Sequence, residues 1–523
     1  MSRRESHEEP RLPSTNPAPP RHKPTWVSIT THVGAGTNGF DRWRVAAFLF
    51  LAVLTIETIL LVWWPLTLVP VPRVGNYNEG WNAYHALDVA NGEFLYANDF
   101  TPLNYPPLSF VLVAALGLIV PDYLLIGRVA AVLSLLVIAA ALGSVVFRMT
   151  GSRAGGLVTG LTTIMLIAAV APTYVGADDP QLMAHAFLMC ALAIYVSFRD
   201  EPRAGHVFVV AGLVCLGLLI KHNPIAVPLA ITWDIVRHRR SLLRTWLTAL
   251  LVTGGSAALV LQIWFGNAVW EALLSPRQIT SRQWADVTFD TLRYSWIWVV
   301  ALSGFMVRVT GDRQLGILTR LLIVAAATGA LMAGGIGTYR NVYFDVFFAL
   351  AMLVGAHLTG SSSKQSRSAV LLAVVIIVTG AGWVRVRWPS QERVNAAYKV
   401  AVGTQESASV LKTIPGPAFC QQPLVCYLAE KKFEYDAFLV TQRIAAGSIA
   451  ERDVVALFEN RRFAAVHVDE VIPEIFERAE KTAVPLLVGE HFTRNILVAI
   501  RRNYALKHTS AAGAVYVAQA ATE

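Results

Sequence analysis

Between residues 45 and 383 long apolar runs alternate with short polar stretches that carry nearly all the charge. The runs read as membrane crossings over Val45–Val69, Leu124–Phe147, Gly155–Val175, Leu182–Phe198, Val207–Ile220, Ile225–Val236, Thr245–Phe265, Tyr294–Val309, Ile317–Ala333, Val342–Leu358 and Ala369–Trp383. At about 1.5 Å per residue, about 20 apolar residues span the ~30 Å hydrocarbon core. Val207–Ile220 and Ile225–Val236 are short and parted by Lys221-His222-Asn223-Pro224. Proline lacks an N–H and does not continue a helix cleanly, so the break predicts a tip at the membrane surface. Leu108–Val120 has about 13 residues, too few to cross the core, and reads as a re-entrant or interfacial piece. The pattern therefore predicts an all-α polytopic membrane protein with about 11 transmembrane helices.

The two ends break the pattern. Residues 1–40 are polar and rich in Pro, Ser and Arg, and such a segment lacks the apolar area to fold. The first apolar run starts too late for a signal peptide. After the membrane region, 41–388, the tail 389–523 is more polar. Strand-like Ala464–Val468 and Val515–Val517 alternate there with helix-like Ala450–Asn460 and Phe492–Arg502, which predicts a small α/β domain.

Composition agrees with the pattern. The 523 residues are 54% hydrophobic and 15% charged, with mean hydropathy +0.49, whereas soluble domains carry roughly 25% charged residues. The net charge of +9 changes meaning in this setting. Lys and Arg collect in cytoplasmic loops of membrane proteins, so the basic balance points to sidedness and not to nucleic acid. Arg148 and Arg153, Arg199 and Arg203, Arg237–Arg240 with Arg244, Arg308 and Arg313, and Lys364 with Arg367 fall in alternate loops. With those loops and the N-terminus cytoplasmic, the outer set becomes Val71–Pro106, Gly176–Pro180, Lys221–Pro224, Gly266–Arg293, Gly334–Asn341 and the tail.

The polar motifs gather in that outer set. In the first outer loop Glu79 sits among Tyr77, Trp81 and Tyr84. It reads either as a general base or as a solvated carboxylate beside an aromatic belt. The following stretch, with Trp81, Tyr84, Leu87 and Val89 at helical spacing, predicts a helix lying on the membrane surface. Asp178 and Asp179 stand at a helix start. Asp179 before Pro180 fits a cap, which leaves Asp178 freer for a site. Lys221 can bind a phosphate or snorkel, and His222 is a proton carrier or a polar cap. Arg340 breaks the charge pattern and suits an anion, while Arg277 and Arg282 among Trp270 and Trp284 suggest a lid or interfacial helix. Glu57, inside the first run, requires a partner or a water-lined face. Cys190 and Cys215 read as packing residues; Cys420 and Cys426 either pair or stay as buried thiols.

Four stretches carry a family resemblance: YNEGWNAYHA, LNYPPLSF, GADDPQLMAHAF and LGLLIKHNPIAVPL. With the tail stretch GPAFCQQPLVCYLAEKKFEYDAF, they make residues 44–385 and beyond resemble the GT-C glycosyltransferases that use polyprenyl-phosphate sugars, such as protein O-mannosyltransferases and lipid A aminoarabinose transferases. The resemblance implies Glu79 as catalytic base, with Asn78 where the family often has Asp. It further implies Asp178, Asp179, Asn78 and Tyr105 as substrate-positioning residues and Lys221, Arg340 and His222 as donor-phosphate ligands. It implies inverting transfer at the outer, periplasmic face of the inner membrane, from a polyprenyl-phosphate sugar to a hydroxyl of an envelope glycan, lipid or protein. No cofactor and no nucleic acid are expected; a divalent metal is left open, since the adjacent carboxylates Asp178 and Asp179 can bind a cation. A transporter or flippase of lipid-linked saccharides would share the outer cations, but alternating access favours midplane charges and repeated halves.

Overall fold

The computed structural model describes residues 37–96, 100–199, 201, 203–275, 277–311, 315–358, 363–482 and 491–520. The expected disordered segment 1–40 lies almost wholly outside them, as does Arg313. Residues Met1–Leu49 and Phe50–Glu523 form separate units, and the helix bundle from Phe50 onward and the tail domain belong to the second.

The membrane part runs α1 (Thr37–Thr67), α2 (Tyr77–Ala90), α3 (Leu108–Gly117), α4 (Tyr123–Thr150), α5 (Arg153–Val170), α6 (Pro180–Ser197), α7 (Ala204–Ile220) and α8 (Ala226–His238). It continues through α9 (Leu243–Phe265), α10 (Ala268–Leu273), α11 (Ser281–Gly311), α12 (Gly316–Met332), α13 (Phe344–Leu358) and α14 (Ser363–Arg387). Local chemistry sets several of the ends. The Asp122 side chain accepts from Leu125 N to start α4, and Gly151 ends it at φ 72°. Asp179 caps α6 ahead of Pro180, as the sequence predicts.

Among the described residues, seven helices are long and apolar enough to cross a membrane. The other four expected crossings are α7 and α12 at 17 residues each, α8 at 13, and α11, which is long but more polar. Helix α3 has ten residues, about 15 Å, and does not cross. Packing separates a centre from a rim. The crossing that contains α13 is 89% buried, while those of α1 and α14 are each 22% buried. The apolar faces that α1 and α14 leave open, with Ile59, Trp63, Leu371 and Val378 exposed, are what hydrocarbon covers in a bilayer.

Helix α2 differs from its expected place. It does not lie on a membrane surface: Glu79 to Ala86 are buried, and the helix is packed by α3 and α4 below and by the tail above. Helical-period amphipathicity looks the same whether lipid or protein covers the apolar face.

The tail begins with α15 (Gln391–Thr413) and continues β1 (Ala418–Cys420), α16 (Pro423–Leu428), α17 (Ala437–Ala445), α18 (Glu451–Glu459), β2 (Ala465–Val468), α19 (Ile472–Thr482), α20 (Arg494–Asn503), β3 (Tyr504–Ser510) and β4 (Gly513–Ala518). The strands form one sheet in the order β1-β2-β4-β3, with β1–β2 parallel and the other pairs antiparallel. Phe419, Tyr435, Phe458, Phe463 and Phe492 fill its core. Cys420 and Cys426 are joined as a disulfide between β1 and α16, with Cα atoms 5.7 Å apart.

This domain is seated on α2. A Cβ at Gly80 would fall on the backbone of Leu424 in α16, so only glycine permits that approach. Tyr84 Oη donates to Lys431 O at 2.6 Å and its ring stacks on Phe433. Tyr77 Oη donates to Asp436 Oδ1 at 2.9 Å. The membrane part and the tail therefore close together over the segment that follows α1.

Candidate functional site

A cavity opens where the tail meets the membrane helices. It has two continuous chambers of about 420 and 710 Å³, which share Asn78, Asn104, Tyr105, Tyr174, Arg277 and Tyr339. The first adds Lys221, His222 and Asn223; the second adds Asp286, Asp290, Arg340, Arg387, Asp436 and His491. Residues scattered from 77 to 491 thus meet in one space.

At its centre lies a buried polar hub. Lys221, extended at the end of α7, places Nζ 3.2 Å from Asp179 Oδ1 and 4.6 Å above the Tyr105 ring. Asn78 Nδ2 donates to Asp179 Oδ2 at 3.0 Å, and Gln181 N donates to Oδ1 at 2.8 Å. Burial works against the Lys221 charge, but Asp179 and Tyr105 outweigh it, so the ammonium is held above its ordinary range. His222 faces the cavity. Walled in by surrounding chain and set beside Arg277 and Lys221, it is pushed down to about 4 and is neutral at pH 7. A neutral ring can still donate a hydrogen bond.

On the opposite wall Arg340 pairs with Asp290 of α11 and donates to Val170 O at 2.6 Å. Its neighbour Asn341 donates to Gln181 Oε1 at 3.0 Å, which links the turn leading into α13 to the hub through α6. The tail supplies Asp436, whose carboxyl burial lifts to about 6 against hydrogen bonds from Leu439 N and Tyr77.

Glu79 and Asp178 occupy a different position from the rest of the expected set. One helical step, about 100°, separates Glu79 from Asn78. Asn78 lines both chambers, whereas Glu79 turns away beneath the loop. Its two oxygens accept from Arg128 Nε at 2.6 Å and Nη2 at 3.1 Å. Asp178 lies beside it, its N–H donating to Glu79 Oε1 at 3.3 Å. Burial first, and then the charges of Glu79 and Asp179, raise the Asp178 carboxyl well above the usual range. Of the expected residues, Asn78, Tyr105, Lys221, His222 and Arg340 line the cavity, Asp179 sits one hydrogen bond behind it, and Glu79 and Asp178 stand further back.

Sequence reading passed over Arg128, Asp290 and Asp436. Arg128 had a usable signal, an ionisable side chain inside an apolar run. Asp290 and Asp436 had none, since each is an ordinary surface-type residue until the fold brings it to Arg340 or Tyr77. Among the described residues no three His, Cys, Asp or Glu side chains converge as a metal-ligand set.

ArnT from Cupriavidus metallidurans in its apo state superposes on this chain with a TM-score of 0.58, over 91% of this chain and 98% of that one, at 11% identity. This chain shares the fold of that protein. A second ArnT structure from that organism, bound to undecaprenyl phosphate, superposes at 0.54 with 13% identity, over 92% and 98%. The Archaeoglobus fulgidus oligosaccharyltransferase in complex with Zn and sulfate gives 0.48 at 12% identity, over 90% and 73%. No protein-family model matches the sequence, and no curated protein matches it. The likeness in fold extends beyond the membrane helices, because coverage of about nine-tenths of this chain takes in much of the tail as well.

Proposed function

We propose that the chain is a membrane glycosyltransferase that moves a sugar from a polyprenyl-phosphate donor to an acceptor hydroxyl, with inversion, on the outer face of the membrane. The observation that carries this reading is the cavity itself. It places Lys221, Arg277 and Arg340 around one polar space at the ends of membrane helices. An ArnT of the same fold holds undecaprenyl phosphate. The acceptor is a hydroxyl-bearing envelope glycan, lipid or protein.

In this mechanism Lys221 and Arg340 take the charge that develops on the departing lipid phosphate. Both carry a carboxylate partner, Asp179 and Asp290, which the phosphate would replace. That exchange suggests how the base is exposed. Asn78 occupies the cavity-facing position and its amide takes no proton, while Glu79 has both oxygens on Arg128. We therefore give the base role to Asp179. Its Oδ2 accepts one bond, from Asn78, and its Oδ1 loses its cation when Lys221 moves to the donor phosphate. Glu79 is then the counter-charge that fixes Arg128, and Asp178 a neutral filler beside it.

The test is sugar transfer by purified protein with a panel of radiolabelled polyprenyl-phosphate sugars and envelope extract as acceptor. Product from one donor, reduced by about 10²–10³ in Lys221→Met and absent in Asp179→Asn, supports the reading. Equal product in wild type and Asp179→Asn gives the base role to another carboxylate. Absence of product from every donor, with donor bound, points to transport.

A further inference from the structure

Behind the main cavity lies a smaller chamber of about 220 Å³, lined by Trp64, Arg73, Glu79, Arg128, Arg387 and Arg393 among others. It lies where two membrane-crossing helices end, α1 through Trp64 and Leu68 and α14 through Arg387. Four guanidiniums face one carboxylate there. Arg128 is fully used: it holds Glu79 with two nitrogens and the carbonyls of Val69 and Val71 with the third. That pair cancels; Arg387, which also lines the main cavity, is partly offset by Asp290 there, and Arg73 and Arg393 remain in excess.

Their remaining donors are available. Arg387 gives Nε to Ala169 O and Arg393 gives one terminal nitrogen to Val386 O. Arg73 donates to no acceptor among the described residues; burial disfavours its charge, and the attraction of Glu79 is opposed by the repulsion of Arg128. Three like charges around a space this small are unfavourable unless something negative enters. A fork of guanidinium N–H groups matches a phosphate in bidentate fashion. Exposed Trp63 and Trp388 flank the helix ends at the level where indoles mark a bilayer interface.

We infer that Arg73, Arg387 and Arg393 form a second phosphate-binding site, separate from Lys221 and taking either a lipid phosphomonoester headgroup or free phosphate. The inference rests on the charge and position of the chamber and holds whether or not the chain transfers sugars.

Purified protein in detergent is titrated with dioleoyl phosphatidic acid, with dioleoyl phosphatidylcholine as the zwitterionic control, and bound lipid is counted by native mass spectrometry. Inorganic phosphate is titrated separately by thermal shift. Arg73→Gln and Arg393→Gln are compared with wild type, and Lys221→Met reports on the main cavity. Arg393 is exposed, so its substitution leaves the fold intact. Expected is phosphatidic acid binding at least tenfold tighter than phosphatidylcholine, weakened about tenfold in each arginine variant and unchanged in Lys221→Met. Stabilisation by inorganic phosphate alone, lost in the same two variants, identifies a free-phosphate site and equally supports the inference. Binding of neither probe, binding unaffected in both arginine variants, or binding lost to the same extent in Lys221→Met would overturn it.

Discussion

Residue by residue, the acids around the cavity divide by what surrounds them. Asp179 is ion-paired and caps α6, Glu79 is locked on Arg128, and Asp178 is buried with its carboxyl raised above the usual range. The last has a pH consequence. The folded carboxyl of Asp178 is raised well above its value of 3.8, so above that pH the folded state holds a proton that the unfolded state releases. Stability from this group is complete below pH about 4 and declines as pH rises towards the folded value. Asp178→Asn, which keeps the shape and removes the ionisation, should raise the unfolding midpoint relative to wild type more at pH 8 than at pH 4.5. An equal difference at both pH values would mean that Asp178 is charged in the folded protein. The sequence made Lys221 legible because a lysine and a proline interrupt an apolar run, a local feature. It could not show which of Asn78 and Glu79 faces the cavity. Adjacent helical positions point about 100° apart, and only the packing of α2 decides between them.

Among the elements, α2 is the joint. It was readable as a helix with an apolar face, but its cover was not, because lipid and protein demand the same pattern. The signature of protein cover is Gly80, which brings the α2 backbone against that of Leu424. Gly80→Ala should cost at least about 1–3 kcal/mol, the usual range for overpacking. Limited proteolysis should then cut faster between α14 and α15, around Trp388–Ser390. Unchanged proteolysis and an unchanged unfolding midpoint would show that the two backbones can separate without loss. In the tail, β2, β4, α18 and α20 were visible as alternating or amphipathic runs. Strand β1 was not, since its three residues are too few to display a period.

Across the whole molecule, polar chemistry sits at both ends of the helix bundle. Opposite the cavity, Asp234 is fully buried and accepts from Tyr195 Oη at 2.6 Å and Arg320 Nη1 at 2.6 Å, with His238 at 3.4 Å. About 16 residues of α6, roughly 24 Å, separate Tyr195 from Asp179. This knot ties α6, α8 and α12. Asp234→Ala would leave cationic partners buried without a counter-charge, and should destabilise by about 3–5 kcal/mol without changing donor affinity in protein that remains folded. Loss of affinity in folded variant protein would mean that the two ends are coupled. Sidedness also belongs to this scale. With the tail outside, a cysteine at exposed Ser448 should react in intact cells with a membrane-impermeant maleimide, and protection until lysis would reverse the assigned topology. That orientation rests on the arginine pattern, because the positive-inside rule acts on whole loops.

The seating of the tail on α2 makes the tail part of the enclosure and not an appendage. Removing it after Arg387 would bare Gly80, Tyr84 and Ala83 to water and would delete Asp436, Phe438 and His491 from the cavity wall. A protein shortened in that way would lack one side of its own cavity, so a loss of ligand binding would say nothing about whether the tail recruits partners.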